Sequence, residues 1–419
     1  MQEYCARSLD ETISKALKEK STIFIEGIKG CGKATTAKKF SKGSFWLNEK
    51  NTIELTEIDP FVALNGEKPR AIAEFQNSPT LANSITEAME ENCDKGQFIL
   101  TASSDLSDGE NFSNIKEEQI ARLFLRPMSL TESRESRRLV SFKKLFDGED
   151  IRLLNKNKSA TIQDLAFILC RGGWPKAVTA QKAEALDATK NCCNSLLCSD
   201  PCQGNLLRGK KQDTLQHILK SYSMQISRGA PVSAVRDKIC EVTGKRLDDK
   251  TMASYLETLQ ALFVTEDLPS WSPKMKSNAT PRLAPARYLA DPSIATNLLS
   301  VTPDILLGDL NYFEMLFKNM CLRDLRVYSS LFGAKLSHYR DNLGLECDVV
   351  AHLNEDDWAA INIRLGGQRR IEEAVEDLKK LTSKVAEKKP IFTMLVTATG
   401  MCYRRADGVY IVPLNCLTY

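Results

Sequence analysis

The chain of 419 residues contains no run of about 18 apolar residues and no apolar leader after Met1. A helix needs such a run to cross the hydrocarbon core of a bilayer, and a secretory signal needs an apolar segment near the N-terminus. The sequence therefore predicts a cytoplasmic protein without a membrane partner.

A large excess of charge of one sign is also missing. The 57 Lys and Arg residues nearly balance the 54 Asp and Glu residues, which leaves a formal net charge of +3. Charge alone therefore neither indicates nor excludes nucleic acid as a partner. The hydrophobic fraction of 42% and the charged fraction of 26% are typical of globular proteins. The length favours two to four domains.

Paired metal-ligand motifs are absent from the cysteine pattern. The 13 cysteines are odd in number and scattered, which favours reduced thiols over a disulfide framework. Cys192, Cys193, Cys198 and Cys202 form a cluster without a CxxC pair, and the closest histidine is His217. Zinc sites use tighter ligand pairs, so we predict no metal in this cluster.

The stretch TIFIEGIKGCGKATT, residues 22–36, is present instead and is close to the phosphate-loop pattern GxxxxGK[ST]. Gly27, Gly32 and Lys33 occupy required positions. A β-branched run at 22–26 predicts a strand before the loop, and residues 33–40 favour a helix after it. In this context the loop amides and the helix dipole favour a phosphate. The alternative is a glycine turn that binds nothing.

The loop departs from the pattern at its last position. Ala34 stands where a hydroxyl would hold magnesium. Thr35 cannot simply replace it, because one residue turns the side chain by about 100° around a helix. The sequence therefore combines a phosphate-binding loop with weakened support for the metal that normally accompanies ATP.

Short apolar runs alternate with helical stretches in the first part of the chain. A helix predicted at 81–92 precedes a strand at 97–101, which indicates a parallel sheet covered on both faces. After Leu130 the pattern becomes helical over 139–154 and 162–169, and RGGWP at 171–175 predicts a turn.

The second half predicts two further units. Helices at 215–225 and 232–242 and a third that begins at Leu247 or Asp248 precede a strand at 263–267, which together favour a winged helix. The third helix has an apolar face of Met252, Tyr255, Leu256 and Leu259. The remaining pattern is α+β, with helices at 313–325 and 372–381 and strands at 335–339, 346–352, 358–363, 391–396 and 409–412.

Ordered segments across the chain resemble one family. These segments are EGIKGCGK, KPRAIAEFQNSP, GQFILTASS, ARLFLRPMSLTES, RGGWP, DDKTMASYLETLQALF, ADPSIA, LRDLRVYSS and HYRDNLGLECDVV. They resemble the prokaryotic AAA-type ATPases that carry a C-terminal domain of unknown function similar to a PD-(D/E)XK nuclease, and they run from about residue 4 to 415.

The resemblance implies a fold of four units. An α/β P-loop NTPase (AAA-like) domain at 1–145 would be followed by a helical lid at 146–204 and a winged-helix domain at 205–284. An α+β restriction-endonuclease-like domain would occupy residues 285–419.

The resemblance also implies roles for residues around the loop. The family pattern LIDEWQ reads AIAEFQ here, so Ala73 replaces the acid that supports magnesium, while Glu74 stays as the candidate catalytic base. Arg122 matches a candidate arginine finger, with a surface salt bridge as the alternative. Met224 replaces a further arginine. The residues that would contact the nucleotide are Gly27, Gly30, Cys31, Gly32, Lys33, Thr35, Thr101 and Ser103.

The family's nuclease-like positions are also changed. Lys318 replaces an acid of the helix, and Asn362 and Arg364 replace the acid and the lysine of one strand, whereas Glu346 and Asp348 remain. A lysine at a metal position repels the cation, and an arginine cannot shuttle protons. We therefore expect no nuclease activity.

These observations predict an ATP-binding protein of the AAA family with impaired or absent hydrolysis, which acts as a switch or assembly partner and forms a homo-oligomer. One alternative is an active ATPase whose magnesium is held by the nucleotide and water. The other is a non-catalytic DNA-binding or protein-interaction protein with a vestigial loop, because the third winged-helix segment could enter a major groove. In that segment the positive charges of Arg246 and Lys250 are offset by the neighbouring Asp248 and Asp249, and this weak local charge favours a protein-facing role. The basic run at 208–211 is interpreted as a solvated loop.

Overall fold

A computed structural model describes most of the chain. The described residues are 4–91, 94–105, 117–150, 160–197, 206–207, 209–228, 231–244, 246–276, 280–354, 356–385 and 388–419.

The N-terminal part is built on a five-stranded sheet whose neighbouring strands are all parallel. The strands are β1 (Thr22–Glu26), β2 (Gly43–Trp46), β3 (Arg70–Ala73), β4 (Phe98–Ala102) and β5 (Ile120–Phe124). Their order is β2-β3-β4-β1-β5. The helices are α1 (Asp10–Glu19), α2 (Lys33–Phe40), α3 (Lys50–Ile58), α4 (Phe61–Leu64) and α5 (Pro79–Glu91). This parallel sheet is compatible with a P-loop NTPase-like fold.

The position of β1 explains where a site can form. β1 lies between β4 and β5, so the chain leaves β1 toward one side of the sheet and later returns on the other side. Ligands of open α/β sheets bind outside the carboxyl ends of the strands at such a change of direction. The glycine loop follows β1 at this edge.

A helical region follows the sheet. It contains β6 (Val140–Ser141), α6 (Phe142–Phe146), α7 (Ile162–Arg171), α8 (Pro175–Val178) and α9 (Lys182–Ser195). The predicted helix at 139–154 is only partly correct, because Val140 pairs in a parallel bridge with Leu417 near the C-terminus before α6 begins. Residues 151–154 lie outside the described residues. The predicted turn at RGGWP is confirmed: Gly172 has a φ of 69°, and Pro175 begins α8.

Three helices form the next unit. They are α10 (Gln212–Ser223), α11 (Val232–Thr243) and α12 (Asp249–Ala261). Asp248 caps α12 by accepting a hydrogen bond from the Thr251 amide, as the helix start predicted. Met252, Tyr255 and Leu259 are buried and Leu256 is partly buried, which confirms the predicted apolar face.

The segment after α12 forms an arm rather than a regular hairpin. The predicted strand at 263–267 contains a single antiparallel bridge, from Thr265 to Leu289, and the next bridge joins Leu268 to Ala286. Phe263 has a φ of 57°, which interrupts a strand at its start. Beyond the second bridge the arm contacts the C-terminal sheet, where Trp271 packs on Trp358 with 4.8 Å between ring centroids.

The C-terminal part places a mixed sheet on one long helix. Its helices are α13 (Pro292–Leu298), α14 (Pro303–Gly308), α15 (Leu310–Ser330) and α16 (Gln368–Lys384). Its strands are β7 (Lys335–Arg340), β8 (Glu346–His352), β9 (Trp358–Arg364), β10 (Phe392–Thr397), β11 (Tyr403–Arg404) and β12 (Tyr410–Pro413), with β13 (Leu417–Thr418) paired to β6. The order of the main sheet is β11-β12-β10-β9-β8-β7. The helices and strands predicted here are confirmed within a few residues.

The parts of the chain share one continuous core. The largest apolar cluster extends from α1 and β1 through α7 and α15 to β10. Consecutive residues of α15 are buried from Asn319 to Ser329, as expected for a helix surrounded by protein on all sides. In the part of the chain that the structure describes, no helix combines the length and apolar character needed to cross a membrane.

Candidate functional site

The loop after β1 has a backbone that requires glycine. Gly30 and Gly32 have φ values of 86° and 105°, which side chains rarely allow. A Cβ atom at Gly27 would lie 2.0 Å from the Leu125 carbonyl oxygen. Among the described residues, no acceptor takes a hydrogen bond from the amides of Gly30 and Gly32. The loop therefore keeps amides available at the start of α2, which is the arrangement that binds anions.

Lys33 is buried beneath this loop. Its side chain is 3% exposed, and its Nζ donates to the carbonyl oxygens of Gly27 at 2.9 Å and Ile28 at 3.1 Å and to Ser103 Oγ at 2.8 Å. An ammonium group has three protons, so these contacts use all of them. A bound phosphate would have to take over part of this set.

Ser103 connects Lys33 to Glu74. The Ser103 hydroxyl donates to Glu74 Oε1 at 2.9 Å while it accepts from Lys33, and Lys33 Nζ lies 4.0 Å from the same carboxylate oxygen. Gln76 Nε2 donates to Glu74 Oε2 at 2.7 Å. The carboxylate is thus held on both oxygens and faces the loop lysine.

The backbone of Glu74 is in an unfavourable conformation. It has a φ of 57° and a ψ of 42°, and a non-glycine residue in this region costs about 1–3 kcal/mol. Its amide donates to Thr101 Oγ1 at 3.3 Å. The structure therefore brings Lys33, Glu74, Thr101 and Ser103 together at the carboxyl ends of β1, β3 and β4.

The two alanines lie beside this network. Ala34 is half-buried in the first turn of α2, and Ala73 is the buried last residue of β3. Neither side chain has an oxygen that could bind magnesium or its water. Within the described ranges, no group of three or more His, Cys, Asp or Glu side chains could hold a metal ion.

Cys31 and Thr35 occupy different environments. The buried Cys31 thiol donates to the Leu125 carbonyl oxygen at 3.1 Å, so it fastens the loop to the segment after β5. Thr35 is exposed and lines a cavity of about 130 Å³ with Tyr4, Gly32 and Pro175. This cavity adjoins the glycine loop on the side of the N-terminal segment.

A buried ion pair supports the loop from below. Arg7 donates to the Cys31 carbonyl oxygen at 2.8 Å, and its Nε lies 3.1 Å from Glu132 Oε1. Burial disfavours the charged carboxylate, but Arg7 and the amides of Ser8 and Ser129 keep the pKa of Glu132 below its usual value. Our sequence reasoning did not identify this pair, although Glu132 lies in the segment ARLFLRPMSLTES.

The RGGWP turn of the helical region contacts the glycine loop. A Cβ at Gly30 would lie 3.6 Å from the Trp174 ring, and one at Gly32 would lie 3.2 Å from Pro175. The Gly173 amide donates to Asp291 at 2.9 Å. Asp291 also pairs with Arg323 of α15 at 2.8 Å, so the turn is joined to the central helix.

Arg122 takes no part in the Lys33 network. It is exposed on β5, and its guanidinium lies 5.6 Å from the centroid of the Phe24 ring. Burial raises the pKa of the nearby Glu26 carboxyl to about 7, an effect that Arg122 partly opposes. Arg122 thus acts on Glu26 through its charge, and its role as an arginine finger or in a surface salt bridge stays a prediction.

The nuclease-like positions form a closed ion cluster. Asp348 accepts hydrogen bonds from Lys318 at 2.5 Å, Arg364 at 2.7 Å and the Ile363 amide at 2.8 Å. Burial acts against its charged form, but the two cations hold the pKa of Asp348 below its usual value. Asn362 accepts from the Asp348 amide at 3.0 Å. Glu346 lies apart, paired with Arg340 at 2.8 Å.

Charged residues of the predicted winged-helix segment contact other parts of the same unit. Asp249 of α12 pairs with Arg236, and Lys210 stacks 4.8 Å from the Tyr255 ring centroid. Met224 is the half-buried C-cap of α10. Cys192 and Cys193 are buried free thiols whose pKa values are raised by burial. Arg208, Cys198 and Cys202 lie outside the described residues.

Comparisons with known proteins match two parts of the chain. Models of two domains of unknown function match, DUF8612 at residues 162–305 and DUF4143 at residues 313–417. No curated protein matches.

Similar solved structures include a chain from Drosophila ORC bound to DNA, with 12% identity and a TM-score of 0.23 over 62% of this chain and 86% of that chain. Another is the Pyrococcus furiosus Hef helicase domain, with 10% identity and a TM-score of 0.21 over 93% of this chain and 89% of that one. Similarity this low does not establish a shared function.

Proposed function

We propose that the chain binds ATP or a related nucleotide through residues 27–33, with impaired or absent hydrolysis, and acts as a switch or assembly partner. The observation that carries this proposal is the network in which Lys33, Ser103 and Glu74 meet below the glycine loop. It lies beside two alanines at the positions where magnesium support is expected.

Binding is supported by charge and by space. Phosphate oxygens would accept from the amides of Gly30 and Gly32, and Lys33 would exchange its carbonyl partners for a phosphate. The helix dipole of α2 adds a favourable field at its first turn. The cavity beside Thr35 would receive part of the nucleoside, with Tyr4 and Pro175 on its walls.

Impaired hydrolysis follows from the missing oxygens. Magnesium neutralises the charge that develops on the phosphates, and proteins fix it through a loop hydroxyl and an acid. With alanine at 34 and 73, the ion would be held by the nucleotide and water alone, as magnesium's preference for retained waters permits. Glu74 would then position water, and Arg122 of a neighbouring subunit would complete the site in the active-ATPase alternative.

A switch role is supported by the contacts of the RGGWP turn. Trp174 and Pro175 lie against the loop glycines, and Gly173 is joined through Asp291 to Arg323 of α15. A phosphate that moves the loop would press on this turn, and α15 extends to the C-terminal sheet.

The competing candidate is a DNA-binding or protein-interaction protein with a vestigial loop. It is favoured by the complete internal pairing of Lys33, which lets the loop persist without a ligand. The winged-helix and nuclease-like assignments, with the domain boundaries given above, belong to the same proposed organisation. The acidic start of α12 makes a protein the better partner for that unit than DNA.

Calorimetric titration of ATP with and without magnesium tests the proposal. We expect binding that magnesium changes little and that Lys33→Met abolishes, because the network holds the Lys33 ammonium beneath the loop amides. Lys38→Met is the matched control, since Lys38 is exposed on the same helix. Strong enhancement by magnesium with turnover would favour the active ATPase. No binding of ATP or ADP would favour the vestigial loop.

A further inference from the structure

We propose that the C-terminal domain has a second anion site, which binds a phosphate group without a metal. The site is a pocket of about 420 Å³ between the segment after α10, the first half of α15 and strands β7 and β8. Its charged wall residues are Arg228, Glu314, Lys318, Arg340 and Glu346. We call it the C-terminal basic pocket. This inference is independent of nucleotide binding at the glycine loop.

Charge is the first argument for an anion. The wall residues Lys318 and Glu314 pair directly with Asp348 and Arg370, and Asp348 in turn pairs with Arg364. The wall and these three partners together have five cations and three carboxylates. The Asp377 carboxylate also attracts Arg364, but it lies 3.8 Å from the Lys380 ammonium. Counting both Asp377 and Lys380 leaves the net charge unchanged. The excess of positive charge is partly removed from water, so an anion that neutralises it is stabilised.

The sharing of Asp348 is the second argument. Its single negative charge faces both Lys318 and Arg364, whose side chains are 15% and 19% exposed. Glu314 also attracts Arg364 but is itself paired with Arg370, so three cations share two carboxylates and one positive charge lacks a full counter-charge. The Lys318 ammonium has protons beyond the one it donates to Asp348, and Lys318 lines the pocket.

Arg228 supplies an exposed cation on the opposite wall. In the part of the chain that the structure describes, no carboxylate pairs with it. The preceding Ser227 has a φ of 62°, and its hydroxyl donates to the Met315 carbonyl oxygen of α15 at 2.7 Å. This bond holds the backbone of the Arg228 segment beside α15 despite the unfavourable φ. Arg228 and Lys318 can thus approach one ligand from two elements.

The ligand chemistry is phosphate rather than a base. The described residues that line the pocket include no aromatic ring, whereas proteins that bind single strands through their bases use aromatic stacking. Arginine and lysine side chains are common ligands of phosphate oxygens. The phosphate could belong to a nucleic-acid backbone or to a small phosphate compound.

The test measures binding in a Lys33→Met background, so that the glycine loop cannot supply the signal. The probes are a short fluorescent single strand, the corresponding duplex, and inorganic phosphate as competitor, all at low salt. We expect Arg228→Ala and Lys318→Met each to weaken binding about tenfold, as for loss of a charge-assisted contact. Lys50→Ala, which removes an exposed lysine of α3, is the control and should change nothing.

The outcomes separate the two sources of phosphate. Displacement of the probes by inorganic phosphate would indicate a small-phosphate pocket, and oligonucleotide binding without such competition would indicate the backbone. If no probe or phosphate binds, or if the Arg228 and Lys318 variants bind like the Lys50 variant, the proposal is wrong. If Lys318→Met lowers the melting temperature severely, the test of the proposal rests on Arg228→Ala and on the salt dependence of oligonucleotide binding. Arg228→Ala should then reduce the slope of log K against log salt by about one, because one phosphate contact is lost.

Discussion

Lys33 Nζ and Glu74 Oε1 lie 4.0 Å apart, and the Ser103 hydroxyl bridges them by accepting from one and donating to the other. These residues come from α2, the end of β3 and the end of β4, so their meeting depends on the strand order of the parallel sheet. In the proposed function a phosphate replaces the carbonyl partners of Lys33, so the hydroxyl bridge to Glu74 remains and holds the ammonium in place.

The bridge predicts that Ser103→Ala will weaken nucleotide binding. Without the hydroxyl, Lys33 loses one partner and Glu74 loses a donor, and each buried hydrogen bond of this kind is worth about 1 kcal/mol. We expect a several-fold higher Kd for ATP by calorimetry and a slightly lower melting temperature. Ser104→Ala is the control, because Ser104 is also buried but lies outside the bridge. Equal effects of the two variants would show that the bridge does not serve binding.

Because Ala34 and Ala73 lack the oxygens that would support magnesium, we predict that substituting them can add magnesium-dependent ATP hydrolysis. Ala34→Ser and Ala73→Asp together would restore a hydroxyl and a carboxylate next to the phosphates. We expect ATP binding to become dependent on magnesium and slow hydrolysis to appear in a phosphate-release assay. Ala73 is buried, so the double variant should lose about 1–3 kcal/mol of stability when no metal is bound.

The same double variant in a Lys33→Met background is the control for this gain. Hydrolysis that survives Lys33→Met would come from a contaminant or another site. A double variant that folds and binds ATP but shows neither magnesium dependence nor turnover would mean that the two alanines are not what limits the chemistry.

The sequence predicted the strand, the glycine loop and the helix that follows it better than their surroundings. Lys33 follows from the spacing of the loop and Glu74 from the family resemblance, and their roles stay predictions. The Arg7–Glu132 pair was missed because its members are far apart in sequence and neither is unusual by itself. The strand predicted at 263–267 forms only an irregular antiparallel pairing with residues 286–290, since local propensity cannot show that Phe263 has a positive φ.

The partly buried carboxyl of Glu26 should make the stability of the fold depend on pH. Burial raises its pKa to about 7, against about 4.3 in an unfolded chain. Between about pH 4 and pH 7 the carboxyl therefore keeps its proton in the folded state and loses it in the unfolded state. Below about pH 4 it is protonated in both states and does not destabilise the fold. Above about pH 7 it is ionised in both states, and the full cost of the buried charge lowers the stability. The side chain is partly solvated, so the effect should be about 1–3 kcal/mol rather than the full value of the shift.

Glu26→Gln should consequently raise the melting temperature at pH 8 and change it little at pH 4.5. Thermal unfolding at a series of pH values measures this difference. Glu19→Gln is the control, because Glu19 is exposed on α1. An increase in melting temperature that is the same at both pH values would assign the effect to packing instead of ionisation.

The ion cluster in the C-terminal domain predicts two unequal losses of stability. Asp348→Asn leaves Lys318 and Arg364 without their shared counter-charge, and breaking a buried pair in this way costs about 3–5 kcal/mol. Lys318→Met should cost clearly less, because Arg364 still neutralises Asp348. The depressed pKa of Asp348 also means that its contribution is present above about pH 4, the unfolded value, and is lost as the pH falls through the folded value.

Urea unfolding of both variants at neutral pH, compared with the exposed-pair variant Glu373→Gln, measures the order of these losses. The wild-type advantage over Asp348→Asn should shrink in acid as the carboxyl becomes protonated. If Lys318→Met were as destabilising as Asp348→Asn, then Arg364 would not compensate for the lost ammonium. Lys318 would in that case be a structural partner of Asp348, without the surplus positive charge on which phosphate binding in the C-terminal basic pocket depends.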